Sequence, residues 1–118
     1  MRLALVGLLA ALLGVTATLQ QVYEPGNGVT LPMIVKEVKP QYTARARDQR
    51  IQGSVLLRAV VLESGHIADD VEVLRSLDQD LDQQAIIALR QWEFKPGTRE
   101  GKPVAVRISV ELTFTLKS

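Results

Sequence analysis

The stretch Val104-Ala105-Val106-Arg107-Ile108-Ser109-Val110-Glu111-Leu112-Thr113-Phe114-Thr115-Leu116 sets an apolar residue at every even position and a small or polar one at every odd position. Successive side chains of a β-strand point to opposite faces, so this alternation predicts one strand of 13 residues, buried on one face and wet on the other. Working backwards, Lys95-Pro96-Gly97 and Gly101-Lys102-Pro103 break the chain twice before that strand. Ahead of them Leu81, Ala85, Leu89 and Trp92, with Ala88, recur at helical spacing, and Asp78, Asp80 and Asp82 load the N-terminal end, where the helix dipole favours negative charge. Ser54–Leu62 is rich in β-branched and apolar residues. The turn Glu63-Ser64-Gly65-His66 follows it, and Ile67–Ser76 alternates again, so the two runs predict a hairpin. Tyr42–Gln49 predicts a short helix ending before Gly53.

Three strands and two helices cannot cover both faces of a sheet. The predicted fold is therefore α+β, with two helices packed on one face of a three-stranded antiparallel sheet in the order helix, strand, strand, helix, strand.

The chain has 118 residues and divides into three parts. Residues 1–19 are apolar from Leu3 to Val15, with Arg2 the only charge before Glu24. Two readings fit: a secretory signal peptide cut near Ala17 or Thr18, leaving a soluble periplasmic domain, or an uncleaved anchor in the inner membrane. Membrane contact is expected through this segment alone. Residues 20–40 hold Pro25, Pro32 and Pro40 with Gly26-Asn27-Gly28 and read as an extended tether; residues 41–118 read as the folded domain.

There is no cysteine, which excludes disulfide frameworks and thiolate chemistry. The formal charge is +1, against nucleic acid as a partner. Charge is segregated all the same: five basic and two acidic residues lie between Lys36 and Arg50, and seven acidic and one basic between Glu63 and Asp82. This reads either as two solvated faces or as a charge-steered docking surface.

Material for catalysis is thin. His66 is the only histidine and sits in a turn. Asp69 and Asp70, adjacent on a strand, face opposite sides and diverge instead of sharing a metal. No GxSxG, Walker A or GxGxxG pattern occurs. A hydrolase or metal-dependent enzyme centred on His66, Asp69 and Asp70 is the remote alternative to a binding module; no catalytic, metal or cofactor site is assigned. Trp92 reads as core. Tyr42 either staples the first helix to the sheet or presents its hydroxyl to a partner.

Taken in order, several segments resemble the periplasmic C-terminal domain of the TonB energy transducers, from about Val29 to Leu116. They are Lys39-Pro40-Gln41-Tyr42-Thr43-Ala44-Arg45-Ala46, Ile51-Gln52-Gly53, Glu63-Ser64-Gly65, Leu81-Asp82 with Ala85, Trp92-Glu93-Phe94-Lys95-Pro96-Gly97 and Gly101-Lys102-Pro103-Val104. The resemblance implies two helices on a three-stranded antiparallel sheet. It also implies a role in passing proton-driven energy from an inner-membrane motor complex to outer-membrane receptors that import large nutrients. The receptor's extended N-terminal segment is expected to pair with the last strand, at Arg107, Ser109, Glu111 and Thr113, with Gln41, Tyr42 and Arg45 nearby and Arg45 meeting a partner carboxylate. Thr43 stands where the family usually has proline, which predicts a looser start to the first helix. Full energy transduction is expected to require a longer spacer than the tether, whose residues 22–40 reach at most about 65 Å; an envelope scaffold or accessory protein without receptor coupling is the second reading. A long exposed edge also permits a homodimer by strand exchange.

Overall fold

A computed structural model describes residues 21–117, so the leader read at residues 1–19 lies outside the described residues. In chain order the elements are β1 (Val22–Tyr23), β2 (Met33–Lys36), α1 (Ala44–Asp48), β3 (Gly53–Val61), β4 (Glu72–Arg75), α2 (Gln79–Leu89), β5 (Glu93–Lys95), β6 (Thr98–Arg99), β7 (Lys102–Pro103) and β8 (Ala105–Phe114). The predicted order of helices and major strands is present as α1, β3, β4, α2, β8.

The main sheet has the order β1-β8-β3-β4. β3 and β8 pair antiparallel in unbroken register from Gly53↔Phe114 to Val61↔Val106. β4 adds to the other side of β3 through Leu56↔Arg75, Leu57↔Val73 and Arg58↔Glu72, with a bulge between the first two pairs. Pairing fixes the length of the last strand. β3 supplies partners for the nine residues Val106 to Phe114 and β1 for Ala105, so β8 spans ten residues where the alternation predicted thirteen.

Two differences from the predicted sheet concern the segment read as a tether. β1 joins β8 in parallel, Val22↔Ala105 and Tyr23↔Val106, making a fourth strand. β2 pairs with β5, Ile34 opposite Phe94. The segment between them is fastened at Thr30, whose N–H donates to the Thr98 carbonyl at 2.9 Å and whose hydroxyl accepts from the Thr98 N–H at 2.8 Å. The Gly101-Lys102-Pro103 break is a hairpin: β6 and β7 pair across Glu100 and Gly101, both at positive φ (52° and 78°), which suits a two-residue turn.

The core lies between the sheet and the helices. Val55, Leu57 and Val61 of β3 and Leu81, Ala85 and Leu89 of α2 are fully buried, with Leu112 and Phe114 of β8 nearly so. Burying a Leu or Val side chain is worth about 1.5–3 kcal/mol, so this cluster is the main stabilising term of a domain without disulfides. Trp92 falls just past α2 and is buried; its indole N–H donates to the Val38 carbonyl at 2.8 Å. Gly65 permits the β3–β4 turn at φ +87°. A Cβ there would stand 2.1 Å from the Phe94 carbonyl oxygen, while the Phe94 N–H donates to the Gly65 carbonyl.

Candidate functional site: the outer edge of the last strand

The direction of the backbone groups along β8 follows from one hydrogen bond and the register. The Ala68 N–H donates to the Val60 carbonyl at 2.9 Å, on the β4 side of β3, so Val60 faces away from β8. Facing alternates along a strand, which turns Gly53, Val55, Leu57, Ala59 and Val61 toward β8. Their partners Phe114, Leu112, Val110, Ile108 and Val106 face back. Arg107, Ser109, Glu111 and Thr113 therefore direct their N–H and C=O groups outward.

β1 covers the start of this edge, at Ala105 and Val106. Beyond it, among the described residues, no strand pairs with the outer side of β8. The last strand is thus outermost except at its start: with Val106 turned to β3, the Tyr23↔Val106 pairing takes up the Arg107 N–H, and the edge is open from the Arg107 carbonyl onward. Chain chemistry ends β1 there. Pro25 has no N–H to continue a ladder, and the Gly26–Val29 turn, closed by reciprocal backbone hydrogen bonds of 3.1 Å, carries the chain off the edge.

Two grooves run along the open edge. The first, of about 540 Å³, lies between Arg107–Glu111 and a wall made by Leu31, Pro32, Ile34 and Phe94, with Glu24 and Pro25 at one end. The second, of about 450 Å³, lies between Glu111–Thr115 and Val38, Pro40, Tyr42 and Trp92. Residues 31–40 thus run alongside residues 107–115, in the same direction.

On the wet face the side chains of the edge residues meet partners within the chain. Arg107 binds Glu24, Glu111 lies 3.5 Å from Arg75, and the Thr113 and Ser54 hydroxyls are 3.0 Å apart. One row further in, Arg58 pairs with Glu72 at 2.9 Å. Arg107, Arg75 and Arg58 on this face are thus each matched by an anion.

The residues expected beside the edge from the first helix divide. Tyr42 lies at the far end of the grooves. Its hydroxyl donates to the Ile51 carbonyl at 2.8 Å and its ring meets Phe114 edge-on at 5.4 Å, which is the stapling role. Gln41 is exposed between Pro40 and Tyr42. Arg45 lines neither groove, and the carboxylates it meets here are the chain's own. Its Nε donates to Asp80 at 2.8 Å, its Nη2 to Asp78 at 2.6 Å and its Nη1 to Gln49 at 2.9 Å. The hydrogen bonds that Arg45 donates, to Asp78 first and Asp80 second, raise the guanidinium's pKa further; the same bond from Arg45, more than any other contact, holds the Asp78 carboxyl below the usual carboxylate range.

Glu24, Leu31, Pro32 and Ile34 were hidden by reading residues 20–40 as a tether. The run Leu31-Pro32-Met33-Ile34-Val35 after the Gly26-Asn27-Gly28 turn carries the missed signal: apolar, partly β-branched residues behind a turn read as a strand. His66 is exposed, and among the described residues no three His, Asp or Glu side chains converge to hold a metal ion.

The chain is similar in sequence and fold to known proteins. Residues 38–116 match the family model described as Gram-negative bacterial TonB protein C-terminal. Protein TonB of Vibrio cholerae serotype O1 is 32% identical over 85 residues, 72% of this chain and 35% of the relative. Protein tonB2 of Pseudomonas aeruginosa is 37% identical over 78 residues, 65% of this chain and 28% of the relative. The chain thus matches about a third of the length of these relatives. The solution NMR structure of the Pseudomonas aeruginosa TonB CTD superposes with a TM-score of 0.61 at 22% identity, covering 86% of this chain and 98% of that one, a likeness of fold.

Proposed function

The chain belongs to the Gram-negative TonB C-terminal family, and from that premise we propose that it binds an extended segment of another envelope protein by adding it as a strand to the outer edge of β8. The partner is the N-terminal segment of a TonB-dependent outer-membrane receptor, and the bond serves to transmit energy from a proton-driven inner-membrane complex for nutrient transport. The domain works in the periplasm, as a holder and not as a catalyst.

The observation that carries this reading is the open edge itself. The Arg107 carbonyl and the N–H and C=O groups of Ser109, Glu111 and Thr113 offer backbone acceptors and donors in a row, so affinity comes from main-chain bonding with little demand on side chains. The edge already accepts a strand, since β1 is paired to its first two residues. Proline removes a donor and its ring obstructs an incoming strand, yet an outward-facing amide takes no part in the β3–β8 ladder. Ser109→Pro and Glu111→Pro are therefore expected to keep the domain folded by circular dichroism. Both are expected to weaken binding of overlapping peptides, taken from the periplasmic N-terminal segments of its own outer-membrane receptors, by at least about tenfold, or 1.4 kcal/mol. Unchanged affinity in both variants rejects strand addition at β8.

A further inference from the structure

The core is incomplete at one place along β8. On the helix side of this strand Val106, Leu112 and Phe114 are buried at 0%, 3% and 2% exposure, but Ile108 and Val110 between them are only half-buried. They open onto the first groove. Across it stand Leu31 and Ile34, which keep 63% and 52% of their surface exposed, with Phe94 beneath. Apolar side chains thus line both sides of the stretch where the edge is open, and water wets surface that the rest of the strand buries.

The other face of the sheet offers no such preference. Arg107, Glu111 and Arg58 are each paired with a charge of opposite sign, so a guest strand meets a balanced set of charges there. Selection by charge is weak on a face so arranged, and selection by apolar fit is left to the helix side.

We infer that Leu31 and Ile34 form an apolar wall that reads alternate side chains of the guest strand, so that the preferred partner is an extended segment carrying apolar residues two positions apart on its helix-side face. The inference rests on the strand-addition reading and adds to it the chemistry of the partner. A strand laid against Arg107–Thr113 sends every second side chain to the helix side, where Ile108 and Val110 form the floor and Leu31 and Ile34 the far wall. The alternation of β2 supplies an internal control. Ile34 lines the groove, while Met33, next to it and 64% exposed, does not.

Two nine-residue probe peptides with lysine flanks test this, one alternating valine with threonine and one with serine at each valine position; a third copy of the valine peptide is N-methylated on the amides meant to pair. The wild-type domain is expected to bind the valine peptide about tenfold more tightly than the serine peptide, since burying one aliphatic side chain is worth that much or more. Ile34→Asp is expected to erase the preference, Ile34→Ala to reduce it about fivefold, and Met33→Asp to leave it unchanged. A preference that survives Ile34→Asp, or equal binding of the valine and serine peptides by the wild type, overturns the wall while leaving strand addition standing. Equal binding of the N-methylated and parent valine peptides overturns strand addition instead, and with it the register on which the wall was argued.

Discussion

Arg45 shows how the same residue reads differently alone and in place. A basic residue in a segment near the docking edge suggests a partner's carboxylate, but folding brings it to Asp78 and Asp80, 33 and 35 positions away. Asp78 has a second role there as the N-cap of α2, accepting from the N–H groups of Asp80 and Leu81. Its depressed pKa has a consequence with a definite sign. The folded value lies below the unfolded one, so the stabilisation is complete above about pH 4 and is lost as pH falls further through the folded value. Arg45→Met removes the largest of the contacts that depress it and leaves the backbone bonds from Asp80 and Leu81. Urea midpoints measured from pH 7 down to pH 2.5 are expected to fall less steeply on the acid side in this variant than in the wild type; parallel curves count against the pairing. Asp82 needed the fold as well. It is nearly buried and accepts from the N–H groups of Leu77 and Asp78, so the acidic cluster around the start of α2 is an internal capping device more than a solvated face.

At the scale of elements, α1 has only five residues and cannot persist on helix propensity alone. Both ends are closed. Thr43, standing where the resemblance expects proline and a looser start, accepts from the Ala46 N–H at 3.2 Å. At the other end Arg50 takes the left-handed conformation at φ 55°, with Arg50 N–H bonded to the Arg47 carbonyl and Ile51 N–H to the Ala46 carbonyl. Gly53 looked like the stop in the sequence, because glycine is the usual left-handed residue; Arg50 performs it three positions earlier. Thr43→Ala is expected to cost about 1 kcal/mol in chemical denaturation, and an unchanged midpoint denies the cap a part in stability. β8 was the most legible element, since a two-residue alternation over so long a run has no helical interpretation. Its ends were not legible, because a strand extends only as far as its neighbour supplies partners, and β3 lies more than 40 residues away in sequence.

For the whole molecule, the largest addition concerns residues 22–40, which pair with the domain through β1 and β2. Trp92 is the joint. Its indole bonds the Val38 carbonyl across 54 positions, and Trp92→Phe leaves that carbonyl without its donor. The loss is expected to be about 1–3 kcal/mol, with faster hydrogen exchange at Ile34 to Val38; exchange equal to the wild type means that the segment is held by other contacts. The sequence alone determined the class of fold, the order of helices and major strands, and the face the last strand buries, since these follow from periodicity within a dozen neighbouring residues. Only the tertiary structure decided where the open edge begins and what stands across from it. β1 and β2 are two and four residues long, too short to carry a period, and they exist because distant strands complete their hydrogen bonds. The sequence could thus point to an edge for a partner, but the groove beside that edge is made by segments far apart along the chain and took shape only when they packed together.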